Sequence, residues 1–158
     1  MVRGMGRLLL LTIAWFGLGF AGHAFAGGHP DFSGHWILNL DQSKFGKMPK
    51  PTGMTLVASN DGDTMRAVQT MDSQGGPVTT ESNWTADGKE HDAPGANGGK
   101  TVTRWEGNTL YSERHSSDGM FQERVWLSLS KDGKTAIEKI WAKGPEGTNI
   151  RTLVWQRP

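Results

Sequence analysis

The stretch Pro30 to Gly46 decides the fold, and it reads P-D-F-S-G-H-W-I-L-N-L-D-Q-S-K-F-G. Trp36, Leu38 and Leu40 recur at every second position, which is the period of side chains on one face of a β-strand. We therefore expect a strand over residues 34–40 that buries one face in a core and leaves the other face outside.

Short strands separated by tight turns account for most of the chain after this stretch. Asp-Gly or Gly-Asn pairs lie between stretches rich in Thr, Val, Trp, Leu and Ile, a pattern that indicates β-hairpins. These pairs are Asp61-Gly62, Asp87-Gly88, Gly107-Asn108, Asp118-Gly119 and Asp132-Gly133. The predicted strands are 34–40, 54–59, 64–71, 78–84, 88–92, 100–106, 109–116, 120–129, 134–143 and 148–156. Only residues 41–45 fit a single turn of helix.

Eight to ten short strands in one small chain must hide their edges, either in a sandwich or in a closed barrel. A sandwich of immunoglobulin type needs long crossover connections, whereas the only long connections here are 41–53, 72–77 and 92–99. We therefore predict an all-β fold, a single antiparallel up-and-down β-barrel of 8–10 strands.

The opening stretch also resembles a known family. A glycine two residues before a buried tryptophan, here Gly34 and Trp36, is similar to the first-strand signature of the lipocalin-like (calycin) β-barrels, which include lipocalins, fatty-acid-binding proteins and avidins. The run D-F-S-G-x-W-x-L-N, with S-K-F-G and the later W-E-G-N-T-L and L-S-x-D-G-K-T, resembles small secreted bacterial lipocalin-like proteins. The resemblance implies that Trp36 closes one barrel end beneath an arginine, with Arg157 as the candidate and Arg151 as the alternative.

The first 26 residues predict an export signal. Two arginines precede an apolar run over 8–21, and Ala24-Phe25-Ala26 supplies a small-x-small cleavage site. We expect residues 1–26 to be removed and residues 27–158 to form one domain in the periplasm or outside the cell. The apolar run is shorter than the ~20 residues that cross a bilayer, so we expect no membrane span in the mature chain.

Composition excludes several classes of protein. The sequence contains no cysteine, so the fold cannot be stabilised by a disulfide and the chain cannot be anchored to a membrane through a lipid-modified cysteine. Loss of Arg3 and Arg7 with the signal would leave 15 basic and 16 acidic residues, a net charge of −1. A near-neutral chain without a basic stripe is not expected to bind nucleic acid. Nothing in the sequence indicates the oligomeric state.

If the turns at Asp118-Gly119 and Asp132-Gly133 are two-residue loops, they also predict which residues face inward, because opposing residues then have position numbers with a fixed sum. Arg114 then opposes Glu123, Ile140 opposes both Val125 and Arg151, and the apolar members mark this face as the interior. The inward residues that we select as a candidate ligand site are Trp105, Arg114, Phe121, Glu123, Glu138, Arg151 and Trp155.

Charges inside a small barrel are costly unless they are paired or wetted. The alternating charges therefore indicate either an ion-paired core, an exposed barrel mouth or a water-filled ligand cavity. Fatty-acid-binding proteins hold a carboxylate with an Arg-x-Tyr pair on the last strand, but the residue two positions after Arg151 is Leu153 and not tyrosine. On the outer face the register places Arg124 opposite Trp141 and Lys139 opposite Trp126, and it predicts a cation–aromatic contact in each pair.

The sequence carries no recognisable catalytic motif. It lacks a Gly-x-Ser-x-Gly elbow and a glycine-rich phosphate loop, and we expect no cofactor. Glu123 and Glu138 could act as an acid–base pair, but an arginine beside each would keep both ionised. Cleavage after Ala26 would expose Gly27-Gly28-His29, whose amine, amides and imidazole suit square-planar Cu(II) or Ni(II).

Three functions remain open at this point. The first is an exported barrel that binds a small hydrophobic or amphipathic molecule, the second is an envelope protein with a filled barrel that engages a partner, and the third is a small barrel enzyme. An interior cavity of at least ~300 Å³ lined by Trp105, Phe121 and Trp155 would favour the first.

Overall fold

The structure is a computed structural model, and it describes residues 28–73, 75–93 and 98–158. The predicted signal peptide over 1–26 and Gly27 lie outside these residues. Ten strands succeed one another: β1 (Gly34–Leu38), β2 (Gly53–Asp61), β3 (Thr64–Asp72), β4 (Val78–Thr85), β5 (Glu90–Ala93), β6 (Gly99–Glu106), β7 (Thr109–His115), β8 (Gln122–Leu129), β9 (Thr135–Gly144) and β10 (Gly147–Gln156).

The strands form a nearly closed antiparallel barrel in the order β4-β3-β2-β1-β10-β9-β8-β7-β6-β5. Each strand pairs with its neighbours in sequence, except that β1 pairs with β10 and that β4 and β5 do not pair with each other. The predicted all-β, up-and-down barrel is confirmed. Among the described residues there is no helix with the length and apolar character to cross a membrane.

The predicted register is also confirmed. Arg114 opposes Glu123, and Ile140 lies between Val125 and Arg151 on the neighbouring strands. The turns at Asp118-Gly119 and Asp132-Gly133 differ in detail from the expected two-residue loops. At residues 117–120 the backbone forms a four-residue loop, with the N–H of Ser116 donating to the carbonyl of Phe121 at 3.0 Å. The register is unchanged, because two-residue and four-residue loops centred on Asp118-Gly119 leave the same residues opposite each other.

One predicted hairpin is wrong. Asp87-Gly88 joins β4 to β5, which are not hydrogen-bonded to each other, so the seam of the barrel lies here. The Asp87 carboxylate accepts the N–H of Lys89 at 3.0 Å, and the N–H of Gly88 donates to the carbonyl of Thr103 on β6 at 2.9 Å. The Asp-Gly pair therefore makes a local turn without bringing its flanking strands into register.

The segment 28–33 covers one end of the barrel, which we call the closed end. Trp36 is 1% exposed, and its indole N–H donates to the carbonyl of Phe32 at 2.9 Å. The guanidinium of Arg157 lies 4.5 Å from the Trp36 ring centroid and donates to the carbonyl of Asp31 at 2.8 Å. This is the contact between tryptophan and arginine that the family resemblance implied. Gly34 has a φ of 125°, a conformation that side chains with a Cβ rarely adopt.

The connection between β1 and β2 crosses the opposite end, which we call the mouth. The expected turn over 41–45 is a single turn, capped where the Asn39 side chain accepts the N–H of Gln42 at 3.0 Å, and no helix comes after it in this connection. Lys44 then pairs with Thr152 on β10 through backbone bonds of 2.7 and 2.8 Å. These bonds hold residues 45–51, which we call the strap, against the mouth.

The fit of the strap against the barrel depends on Gly46 within S-K-F-G. Its φ is 61°, and a Cβ at this position would collide with the side chain of Asn149 and the carbonyl of Ile150. The Asn149 side chain in turn accepts the N–H of Lys47 at 2.8 Å. The close approach allowed by glycine thus fixes the strap beside β10.

Candidate functional site

An internal cavity of about 500 Å³ occupies the barrel between the strap and the closed end. This volume lies within the range of ~300–1,000 Å³ that is typical of small-molecule sites. Most of its walls are apolar side chains. They include Phe45, Met48, Met54, Leu56, Met65, Met71, Leu110, Val125, Leu127, Ile140 and Leu153. The barrel is therefore hollow, which argues against the filled interior of the second hypothesis.

The charged residues of the candidate site gather at the mouth. Arg114 donates to one carboxylate oxygen of Glu123 at 2.9 Å, and Arg151 donates to the other at 3.3 Å. Arg151 also contacts the sulfur of Met48 in the strap at 3.0 Å. We call Met48, Arg114, Glu123 and Arg151 the mouth cluster. One carboxylate serves two guanidinium groups, so the cluster carries a net positive charge.

The mouth cluster keeps unused hydrogen-bond donors. The Nε atoms of Arg114 and Arg151 are enclosed and have no partner among the described residues. Arg157 at the closed end shares this property, but its guanidinium lies over the Trp36 ring. At the mouth, by contrast, both arginines line the cavity. Two guanidinium groups that share one carboxylate on the cavity wall provide a place for an anionic group.

Glu138 is not held by an arginine, contrary to the expectation that each glutamate would be ion-paired. Its side chain lines the cavity, and one of its oxygens, Oε2, accepts the indole N–H of Trp155 at 2.9 Å. Burial raises the pKa of Glu138 above its usual range, and the Trp155 hydrogen bond and the charge of Arg151 only partly oppose this shift. Arg151 does not form an ion pair with Glu138, because its guanidinium turns towards Glu123 and the strap.

Two residues of the predicted site do not line the cavity. Trp105 packs at the closed end, where the His29 ring stacks on it with a centroid separation of 4.5 Å and an interplanar angle of 1°. Phe121 lies outside the mouth, with the guanidinium of Arg114 at 5.5 Å from its ring centroid. Parity along a strand assigns a side chain to the inner face, but it does not give the position along the barrel axis at which the cavity begins and ends.

A second hollow of about 560 Å³ lies outside the mouth, between the strap and the β9–β10 turn. Phe121 contributes to this outer hollow. Three members of the mouth cluster, Met48, Glu123 and Arg151, line both the outer hollow and the inner cavity. These side chains therefore form the partition between the two spaces.

Sequence reasoning missed the polar wall that β3, β4, β6 and β7 contribute. Gln69, Thr80 and Ser82 line the cavity next to the seam, and Thr101 and Ser112 line it on the other side. The Ser112 hydroxyl lies 2.9 Å from that of Thr103, so this part of the wall is hydrogen-bonded within itself. The alternation of side chains within residues 64–71 and 78–84 could have identified the inward-facing residues of these two strands. The sequence did not show where the seam lies, so nothing indicated that these strands line the site.

The predicted copper or nickel site is only partly described. Gly27 lies outside the described residues, and the imidazole of His29 is engaged in its stacking contact with Trp105. Across the part of the chain that the structure describes, no group of three His, Asp or Glu side chains is arranged to hold a metal ion. The Gly27-Gly28-His29 site therefore stays a prediction from sequence.

No protein-family model matches the sequence, and no curated protein sequence matches it either. Solved structures are similar in fold. They include the fluorescent protein UnaG, with 19% identity, coverage of 80% of this chain and 97% of that chain and a TM-score of 0.60. Fatty-acid-binding protein 1 of Echinococcus granulosus has 12% identity, covers 80% and 96% and gives a TM-score of 0.56. The zebrafish ileal bile acid-binding protein, complexed with cholic acid, has 19% identity, covers 80% and 98% and gives a TM-score of 0.52. The chain therefore has a calycin-type barrel fold.

Proposed function

We propose that this protein is an exported carrier that binds a small amphipathic acid inside its barrel. The observation that carries the proposal is the cavity of about 500 Å³ with apolar walls, whose charged wall near the strap holds two arginines against one glutamate. An apolar chain would fill the cavity, and an acidic head would meet the guanidinium groups of Arg114 and Arg151, which have only one carboxylate between them.

The similar folds support this function by analogy. Two of the similar structures are a fatty-acid-binding protein and a bile acid-binding protein with cholic acid bound, and each of these names refers to an amphipathic acid. The site in this chain is nevertheless built differently from the Arg-x-Tyr arrangement, because Leu153 stands two positions after Arg151 and because Arg151 is partnered by Glu123.

Export is the second part of the proposal, and it rests on the sequence pattern of residues 1–26. Expression of the full chain in a bacterial host and intact-mass measurement of the protein recovered outside the cytoplasm tests it. We expect a chain that begins at Gly27. A chain recovered only in the cytoplasm with residues 1–26 attached would contradict this part of the proposal.

The test of ligand binding uses the delipidated protein and two fluorescent probes of similar size, a fatty-acid analogue and its neutral methyl ester. We expect the acid to bind more tightly than the ester, and Arg151→Met to remove most of this preference while the ester still binds. Arg104→Met is the matched control, since Arg104 pairs with Glu106 and neither residue lines the cavity. Failure of the wild-type protein to take up either probe would refute the carrier function.

A further inference from the structure

Glu138 is an unusual residue to find on the wall of an apolar cavity. Leu127 and Leu153 lie opposite it on the neighbouring strands, and Ala136 and Ile140 flank it on the same inner face of β9. A carboxyl group among such neighbours costs stability unless its polar atoms have partners. Binding of an acidic head by the arginines at the mouth does not account for the Glu138 carboxyl at this position.

Only one side of the Glu138 carboxyl is occupied. Oε2 accepts the indole N–H of Trp155 at 2.9 Å, and among the described residues Oε1 has no hydrogen-bond partner. Oε1 is not one of the fully enclosed polar atoms, and Glu138 lines the cavity, so this oxygen faces the cavity space. Trp155 is 1% exposed, which fixes the orientation of the carboxyl from behind.

The position of Glu138 is also defined relative to the mouth cluster. On β9 it lies four residues from Ala142, which opposes Glu123, and two residues from Ile140, which opposes Arg151. At the rise of an antiparallel strand these separations are about 13 Å and about 7 Å along the barrel wall. A ligand whose acidic head meets Arg114 and Arg151 would therefore bring the middle of its chain beside Glu138.

We propose that Glu138 and Trp155 form a second polar subsite, which binds a hydroxyl group carried in the middle of the ligand, about 10 Å from its acidic head. This inference rests on the proposed carrier function and narrows its ligands from amphipathic acids to hydroxylated amphipathic acids.

A hydroxyl group fits better than the alternatives on chemical grounds. It can donate to an ionised Glu138 and accept from a protonated one, so it satisfies Oε1 in either state. An ammonium group would require an ionised Glu138, which burial disfavours, and a second carboxylate would have no cation beside it at this depth. A plain hydrocarbon would leave Oε1 without a partner once the chain displaced water from the cavity.

The experiment compares stearate with a hydroxystearate that carries its hydroxyl in mid-chain, each displacing the same fluorescent fatty-acid probe. For the wild-type protein we expect the hydroxylated acid to bind roughly threefold to tenfold more tightly, the effect of one net hydrogen bond. Glu138→Leu should abolish or reverse this preference while stearate still binds. Glu138→Gln, which can both donate and accept, should keep it, and the exposed Glu90→Leu is the matched control.

A second measurement covers the case in which Glu138→Leu does not fold. With side-chain carboxyls labelled for NMR, the Glu138 resonance of the wild type should shift when hydroxystearate binds and shift much less with stearate. Equal affinities for the two acids, with no selective shift, would overturn the subsite and leave the carrier function intact. If neither acid binds, the carrier function fails and the subsite fails with it.

Discussion

The two ends of the barrel are built on opposite physical principles. At the closed end, Trp36 is 1% exposed, its N–H is satisfied by Phe32, and Arg157 covers the ring. At the mouth, the side chain of Arg114 is 39% exposed and that of Arg151 is 18% exposed, and both line the cavity while sharing one carboxylate. The closed end thus supplies stability through packing, whereas the mouth gives up stability to keep polar groups available.

The largest expected effect is at the closed end. Trp36→Ala should lower the free energy of unfolding by ~3–5 kcal/mol, because it removes a large aromatic side chain from the core and leaves the Phe32 carbonyl without its donor. Urea unfolding followed by circular dichroism measures the loss. Val57→Ala, at a side chain that is 55% exposed on β2, is the control. Similar losses for both variants would show that Trp36 is not the anchor of this end.

At the mouth we expect smaller losses of stability, and we expect the loss to differ between Glu123 and its partner Arg114. Glu123→Leu should cost about 1–3 kcal/mol, since it leaves two guanidinium groups without their shared carboxylate, and partial exposure reduces the penalty of a fully buried charge. Arg114→Met should cost less, because Glu123 keeps Arg151. Unfolding midpoints of the two variants measured in parallel decide this, and a larger loss for Arg114→Met would contradict the shared-carboxylate geometry.

Between the two ends, Glu138 should make stability depend on pH. Because the pKa of Glu138 is raised in the native state, the carboxyl loses its proton at a lower pH in the unfolded chain, about 4.3, than in the folded protein. Between these two pKa values unfolding releases a proton, so a rise in pH favours the unfolded state. The wild type should therefore lose stability relative to Glu138→Gln across this window, and the difference should be constant above it. Thermal midpoints of both proteins at a series of pH values give the comparison. A difference that does not change with pH would show that the pKa of Glu138 is not raised in the native state.

The smallest effect is expected on the outer face, away from both ends. The Arg124 guanidinium lies 5.2 Å from the Trp141 ring centroid and 3.4 Å from a carboxylate oxygen of Glu113. Arg124→Met should cost ~0.5–1 kcal/mol through the loss of these two partly exposed contacts. Lys139→Met on the same face is the control, since among the described residues the structure records no such cation contact between Lys139 and its opposite residue Trp126. Equal losses for both variants would assign the effect of Arg124 to its long side chain alone.

The barrel could be predicted from the sequence because each inference needed only local information. Alternation defined the faces of the strands, and paired turns fixed the register of Arg114 with Glu123 and of Ile140 with Arg151. The site was harder to predict because it depends on relations between distant elements. The direction in which the Arg151 guanidinium turns is decided by Met48 in the strap and by Glu123. The exclusion of Trp105 from the cavity is decided by the two rings that stack on it, those of His29 and Phe32.

The pairing of β1 with β10 also has a consequence for how the chain folds. Eight of the nine strand pairs among the described strands join neighbours in sequence and can form as hairpins. The ninth pair is β1 with β10, where Asn39 and Gln156 are 117 residues apart in the chain. Closing such a loop costs roughly 3–4 kcal/mol more in chain entropy than closing a two-residue turn. Trp36, Trp155 and Arg157 all lie at this junction. The tight packing of the closed end therefore offsets the entropy of joining two separate meanders, and the joining step, not hairpin formation, is expected to limit the folding rate.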